Sequence, residues 1–477
     1  MKSIFGVFVL GFQDVGGYQA LIEKFRSVQP NISYVGFNSD NESCSTVPDN
    51  YMHLLRSPTD PVVPWTGTTF GLTIIAVWNW CFDQVFVQRT LSAKNLCHAK
   101  GGCILAGYLK ILPLFLVVFP GMAARVLFPD EIGCSKPEVC KEICGSENGC
   151  TNVAYPLLVI HLMPHGATGL MLATMMAALV TSLTSVFNSS STLFAIDIWI
   201  RIRKQASEME VLIVGRVFVL FMTVVSILWI PIVQSSHSSQ LYQYTQSVTS
   251  YLAPPVSAIF ILAMFWERIN EPGAFWGLMC GQVMGIIRFV LDFVYQEPHC
   301  SSSQRDSRPG ILTEIHYLHF ACIQFLFTAF CTVTFSLLTK PIDKKHLYRL
   351  TFWTRFSDKQ RIDIDKEHEM QSNNGDQAIA LEERNILETQ KLESSEILEK
   401  RSFIKAIPLW RKALNLMCGM GLNPDNEDHQ KSTWLTLEQE AQSSTGIVEE
   451  SSLWKQVCDV NGLCLLVVGV FMFGFYA

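Results

Sequence analysis

Apolar runs of about twenty residues recur along most of this 477-residue chain, and they constrain its fold more than any other feature. A helix rises about 1.5 Å per residue, so each run is long enough to cross the hydrocarbon of a bilayer. They fall at 62–86, 101–128, 168–196, 211–234, 241–265, 273–296, 315–338 and 456–477. Composition supports the same reading: 16% of residues are charged, against roughly 25% in soluble proteins, and mean hydropathy is +0.25. An ordinary cytosolic enzyme is excluded, and a net charge of −6 excludes a nucleic-acid binder. The expected fold class is an all-α polytopic membrane protein with eight full spans. The apolar stretch Ile4 to Phe12 is too short to cross and reads as the end of a ninth, partial helix over 1–12, whose start precedes Met1.

Basic residues orient the spans. Arg89, Lys94 and Lys100, then Arg201, Arg203 and Lys204, then Lys340, Lys344, Lys345 and Arg349 all fall on one side if the spans alternate. That side is expected to be cytoplasmic, with a cytoplasmic N-terminus and an extracellular C-terminus. Segments 13–61, 129–160 and 297–314 are then outside. The first of these carries the sequons Asn31-Ile32-Ser33 and Asn41-Glu42-Ser43, which require that location to be glycosylated. The copy at Asn188 lies within a span. Six of the 15 cysteines fall in the outside segments: Cys44, Cys134, Cys140, Cys144, Cys150 and Cys300. An even number in an oxidising compartment points to three disulfides.

Residues 339–455 form the one large hydrophilic region, expected to be cytoplasmic and largely disordered because Glu, Lys, Gln and Ser dominate its middle. Within it, 401–417 interleaves Phe403, Ile404, Ile407, Leu409 and Trp410 with Arg401, Lys405, Arg411 and Lys412. This suits either a basic amphipathic helix on the inner leaflet or an ordinary solvated helix.

A secondary transporter is marked by polar interruptions within apolar spans. Thr181, Ser182, Thr184 and Ser185, continuing to Asn188 and Thr192, place many hydroxyls in one span. Neutral hard oxygens suit weak, reversible Na+ binding, while back-bonding to the helix or packing between helices is the competing reading. Tyr242, Gln243, Tyr244, Gln246, Ser247, Thr249 and Ser250, ending in Pro254-Pro255, mix amides and hydroxyls with aromatics. Such a set suits a neutral polyhydroxylated ligand, or structural hydrogen bonding between helices. Trp78, Asn79, Trp80 and Asp83 close the first full span, where an interfacial aromatic belt is also expected. On position alone Lys110 reads as a side chain snorkelling to the interface, and Arg288 and Asp292, spaced i,i+4, read as a structural pair. The glycines from Gly277 to Gly285 lack a P-loop lysine and read as small residues for helix packing.

Several segments carry a family resemblance. Asp83-Gln84-Val85-Phe86-Val87-Gln88-Arg89, Lys100-Gly101-Gly102-Cys103-Ile104-Leu105, Gly107-Tyr108-Leu109-Lys110, Ser185-Val186-Phe187-Asn188-Ser189-Ser190-Ser191-Thr192-Leu193-Phe194, Thr249-Ser250-Tyr251-Leu252-Ala253-Pro254-Pro255 and Asn270-Glu271-Pro272-Gly273-Ala274-Phe275-Trp276-Gly277 all resemble motifs of sodium/glucose cotransporters. The similarity runs from Phe5 to Ala477 and is nearest the vertebrate sugar and inositol branch of the sodium:solute symporter family. It implies an inverted-repeat, 5+5 helix fold lacking most of the first repeat. It further implies Na+ as the co-transported ion, no organic cofactor and no enzymatic activity, and hexose uptake by alternating access at the plasma membrane. Residue by residue, it places Na+ on the Ala178 carbonyl and the Thr181 and Ser182 hydroxyls. Sugar contacts fall on Trp80, Lys110, Gln246 and Asn79, with Tyr242 and Asn79 as gates. Cys44 would pair with Cys300, and the other four outside cysteines would form two local bridges.

Departures from the family pattern temper the expectation. Asn79 stands where a stacking Tyr is usual, Phe82 replaces a Thr, Gln243 an acidic residue, Thr168 an Arg and Thr181 a Ser. Family members also carry further helices before the point where Met1 begins. Alternatives to a glucose- or mannose-type symporter are therefore a sodium/myo-inositol cotransporter, a sugar sensor, and a transport-incompetent isoform acting through association with full-length homologues. Sugar, Na+ and the lipid bilayer are the expected partners, and nucleic acid is not.

Overall fold

The computed structural model describes residues 11–38, 41–147, 149–203, 206–235, 241–295, 298, 300, 308–359, 361–364 and 452–477. Of the expected partial helix 1–12, only the last residues fall within this set, where 11–15 are helical. The amphipathic segment 401–417 and most of 339–455 lie outside it.

The longer helices are α1 (Tyr18–Ser27), α2 (Gly67–Phe82), α3 (Gln84–Leu91), α4 (Leu96–Leu127), α5 (Pro137–Cys144), α6 (Ala154–Leu162), α7 (His165–Ile202), α8 (Glu208–Ser235), α9 (Leu241–Leu252), α10 (Pro254–Phe265), α11 (Glu271–Val294), α12 (Tyr317–Leu338) and α13 (Ser452–Phe475). Among the described residues, no β-strand occurs, and two isolated bridges are the only extended pairings. Among the described residues, six helices are long and apolar enough to cross a membrane: α4, α7, α8, α11, α12 and α13. Two further pairs, α2 with α3 and α9 with α10, meet that test only together and are bent by 45° and 48°.

Helix limits differ from the apolar runs where capping chemistry intervenes. The second run begins at Leu96, because Asn95 accepts the His98 amide at 2.9 Å and so starts the helix inside the basic loop. The segment 129–160, expected to be loop, holds α5 and the apolar α6, whose Leu158 and Val159 are fully buried against Ala124, Ile132 and Met171.

The tightest pairing joins α11 to α12. Gly273, Gly277, Gly281 and Gly285 recur every fourth residue and are all buried. They meet Ser336, Thr332, Thr328 and Gln324, which recur every fourth residue on α12 and are themselves buried. An added Cβ at Gly277 would run into Thr332, and one at Gly285 into the Tyr251 carbonyl. The two threonine hydroxyls bond within α12, Thr328 donating to the Gln324 carbonyl and Thr332 to the Thr328 carbonyl, each at 2.8 Å, while the Ser336 hydroxyl is buried without a partner. Asn270 caps α11 by accepting the Gly273 amide at 3.0 Å, and its amide donates to Thr339 and Lys340 at the far end of α12. Close backbone approach through small residues is the packing mode expected where lipid supplies no hydrophobic drive.

One end of the molecule is cross-linked. Disulfides join Cys44 to Cys300, Cys134 to Cys140 and Cys144 to Cys150. Asn31 and Ser45 lie on the turn that follows α4: the Asn31 amide donates to Asp130 at 2.7 Å, Ser45 to the Gly133 carbonyl at 2.6 Å, and Arg125 to the Ser45 carbonyl. The sequon residues Asn31 and Asn41 are both exposed. The C-terminal end of α13 reaches the same loop region, where the Leu54 amide donates to the Tyr476 carbonyl at 2.6 Å.

A second compact unit comprises Lys344–Tyr348 and Ser357–Ser451. In its described part, Lys344–His346 form a 3-10 turn and the His346 ring meets the Ile362 carbonyl at 2.7 Å.

Candidate functional site

The break between α2 and α3 positions the first group of expected site residues. Trp78–Phe82 form a π-helical turn, which inserts a residue into the helix and rotates the side chains that follow it. Asp83 then leaves helical geometry (φ −69, ψ 125), and its carboxylate accepts the Val85 amide at 3.0 Å to start α3. Trp80 sits on this turn, 41% exposed, with its ring 4.8 Å from that of Phe86.

Lys110 comes from a second irregularity. Pro113 has no amide to donate to the Leu109 carbonyl, so regular helix stops at Leu109 and Lys110 caps it. The Lys110 ammonium lies 4.6 Å from the centre of the Trp80 ring, within cation–π range. Two residues 30 positions apart in sequence are thereby brought together, with the exposed Lys110 over one face of the Trp80 ring. Asn79, half-buried, is the neighbour of Trp80 on the same turn.

Gln246 and Tyr242 lie one turn apart on α9. Tyr242 is 70% exposed, whereas the Gln246 side-chain oxygen is buried and has no hydrogen-bond partner. An unpaired buried acceptor of this kind costs about 1–3 kcal/mol unless something donates to it.

The hydroxyl-rich stretch lies on α7, where Ala178, Thr181 and Ser182 are all exposed. Thr181 donates to the Ala178 carbonyl at 2.9 Å, so these two oxygens already converge, and the Thr181 lone pairs stay available to a cation. Back-bonding continues at Thr184 to Val180 and Ser185 to Thr181. The back-bonding expected as the competing reading of these hydroxyls is thus what the helix shows. Arg89 of α3 donates to the Ser185 hydroxyl at 2.6 Å, tying the turn after Trp80 to this helix.

One feature escaped sequence reasoning. A cavity of about 290 Å³ opens between α9, α11, the segment 308–319 and Pro58–Pro61. Its lining includes Tyr244, Ser247, Arg288, Asp292 and His316 but none of Trp80, Asn79, Lys110, Tyr242 or Gln246. Arg288 does not pair with Asp292 as the spacing suggests. It is 4% exposed and donates to the carbonyls of Ile311 and Ile315, while Asp292 accepts the Tyr251 hydroxyl at 3.3 Å. The i,i+4 rule failed because unpaired carbonyls beyond α11 compete for the guanidinium. His316 titrates near 4: burial lowers it, the neighbouring His319 adds to this, and the Val62 backbone and Asp60 carboxylate only partly oppose it. Asp60 is held below the usual carboxylate range, since the amides of Val63 and Val62 and the charge of Arg56 outweigh the effect of burial.

Comparison with known proteins gives a consistent picture. Residues 3–281 match the model of the sodium:solute symporter family. The chain is 47% identical over 474 residues to sodium/glucose cotransporter 4 of Mus musculus, covering 98% of this chain and 67% of that protein. It is 44% identical over 479 residues to sodium/glucose cotransporter 1 of Ovis aries, covering 99% of this chain and 68% of that protein. The chain thus spans about two thirds of the length of these relatives. Its helical build, with long apolar helices and bends at polar turns, accords with that match, and the chain belongs to the sodium:solute symporter family.

Proposed function

We propose that this chain is a Na+-coupled sugar symporter of the plasma membrane that works by alternating access. The observation that carries the sugar reading is the Lys110 ammonium 4.6 Å over the Trp80 ring, at the break between α2 and α3. A cation held against an indole leaves donors directed at hydroxyl oxygens, beside a flat apolar face suited to a pyranose C–H surface. The buried, unpaired Gln246 oxygen supplies an acceptor for a sugar hydroxyl. Asn79 is the further sugar contact, and with Tyr242 it forms the gates.

Na+ is the co-transported substrate, taken by the Ala178 carbonyl and the hydroxyls of Thr181 and Ser182. Neutral oxygens bind a monovalent cation weakly enough to release it on each cycle. The names of the relatives, sodium/glucose cotransporters, support the pairing of ion and sugar.

The test is uptake of labelled methyl α-glucoside in cells expressing the chain at their surface. The expected result is Na+-dependent accumulation that phlorizin blocks, weakened by Thr181→Ala or Trp80→Ala. Normal surface expression without uptake sinks the transport reading. Asn79, in place of an aromatic gate, favours a second reading in which sugar binds without being moved. Sugar-evoked current without accumulation would select it.

A further inference from the structure

The C-terminal end of α10 is finished from outside its own helix. A helix leaves its last carbonyls without donors of its own. Here the Phe352 amide donates to the Met264 carbonyl and the Trp353 indole N–H to the Phe265 carbonyl, both at 2.9 Å. The Phe352 ring also lies 5.3 Å from that of Phe265. The turn Arg349–Phe356 is thereby fastened to the end of the α9–α10 pair, at the level where an apolar span leaves hydrocarbon.

The turn is closed by its own hydrogen bonds. Thr351 is 3% exposed, its hydroxyl meets that of Thr354 at 2.8 Å, and the Arg349 amide donates to the Thr354 carbonyl at 3.2 Å. The small polar side chains therefore face inward and the large apolar ones outward. Leu350, Trp353 and Phe356 are 54%, 68% and 75% exposed. Three large apolar side chains held together in the open mark a surface meant to be covered. Trp353, with its N–H satisfied by a helix-end carbonyl and its ring free, has the form of a residue at a bilayer interface.

Charge selects what covers it. The Arg355 guanidinium lies 4.0 Å from the centre of the Phe352 ring and 4.7 Å from that of Phe356. Stacking uses the faces of a guanidinium and leaves its in-plane N–H edge for an oxyanion. Among the described residues, no carboxylate pairs with Arg355. In sequence, Lys344, Lys345, Arg349 and Arg355 stand between Asp343 and Asp358 with no acidic residue among them. An acidic peptide would satisfy the guanidinium but leave the three apolar side chains in water. An anionic lipid offers both chemistries at once, a phosphate above an acyl chain.

We propose that the turn Arg349–Phe356 is a docking site for an anionic phospholipid of the leaflet at this end of the molecule. The Arg355 guanidinium takes the headgroup phosphate, and Leu350, Trp353 and Phe356 lie against the glycerol and upper acyl chain. None of these residues is a proposed sugar or Na+ contact, so the site fills whether or not either is present.

The test uses the full chain in nanodiscs that contain brominated phosphatidylserine or brominated phosphatidylcholine. Quenching at Trp353 is isolated as the difference between the parent chain and Trp353→Phe. The expected result is stronger quenching by the serine lipid, a preference that high salt erases. Arg355→Gln should lower that preference about fivefold, the weight of one basic residue at an anionic surface. Should Trp353→Phe misfold, phosphatidylserine retained in native mass spectra of the parent chain and lost from Arg355→Gln reports the same site. The proposal is overturned if the two lipids quench alike, or if Arg355→Gln leaves the preference unchanged. Absence of quenching by either lipid, with Trp353 still shielded from aqueous iodide, also overturns it, in favour of cover by another part of the chain.

Discussion

The side-chain amide of Gln324 donates to the backbone carbonyl of Tyr251 at 2.8 Å, supplying the hydrogen bond that Pro255 withholds. In a continuous helix the residue four positions on would donate to that carbonyl, and proline cannot. The same amide group reaches the Gly281 carbonyl at 2.9 Å, so one fully buried side chain on α12 joins α9 and α11. Replacing Gln324 with Met preserves volume but orphans the Tyr251 carbonyl, while that of Gly281 keeps its bond within α11. The expected cost is about 1–3 kcal/mol, that of one buried unsatisfied group. It is read as a lowered thermal midpoint in nanodiscs, and an unchanged midpoint would refute the role.

The glycine stripe of α11 makes a contrast within one residue type. Gly277→Ala places a methyl against Thr332, and Gly285→Ala places one against the Tyr251 carbonyl. Overpacking of this kind costs about 1–3 kcal/mol or more and here separates two helices. Both variants are expected to lose surface expression. Gly166→Ala and Gly469→Ala, where nothing lies within 4 Å of the added atom, are expected to match the parent chain.

Lys110 and Trp80 are coupled through a contact exposed on one side, which limits its worth to about 0.5–1 kcal/mol. Lys110→Met should raise the half-saturating sugar concentration several-fold, adding the lost donors to that contact. In a double-mutant cycle with Trp80→Leu, the two effects should fall short of additive. Strict additivity would show that the two side chains act on the sugar separately.

His316 gives the molecule a pH dependence of known sign. Its folded pKa of about 4 lies below the ordinary value of 6.5, because burial disfavours the charged ring. The unfolded chain thus binds the proton more readily between these values. Stability is fully present above about pH 6.5 and is lost as pH falls toward 4. His316→Gln should flatten the thermal midpoint across that window, and an unaltered slope would assign the dependence to other groups.

Much of the architecture is legible as period and punctuation. The apolar runs mark the helices, and Pro254-Pro255 marks a bend observed at 48°. The glycines of α11 read as packing residues in the sequence, and they pack. What they pack against was not legible, since the matching threonines lie about fifty residues on and carry an equally unremarkable period of four. Lys110 was ambiguous for the same reason: its depth in a span fits snorkelling, and only the break before Pro113 turns it onto Trp80. The cavity was invisible because Asp60, Tyr244, Arg288 and His316 come from four segments joined by tertiary structure alone. There the local i,i+4 rule pointed to the wrong partner for Arg288.

The interlocked stripe between α11 and α12 also has a mechanical meaning. Two helices whose backbones touch through glycine for four successive turns, stitched at one end by Asn270 and at the other by Gln324, resist sliding and shearing alike. They form a stiff plank. The polar bends at Trp78–Asp83 and Leu252–Pro254 both lie outside this plank, so a change of angle at either would leave it intact.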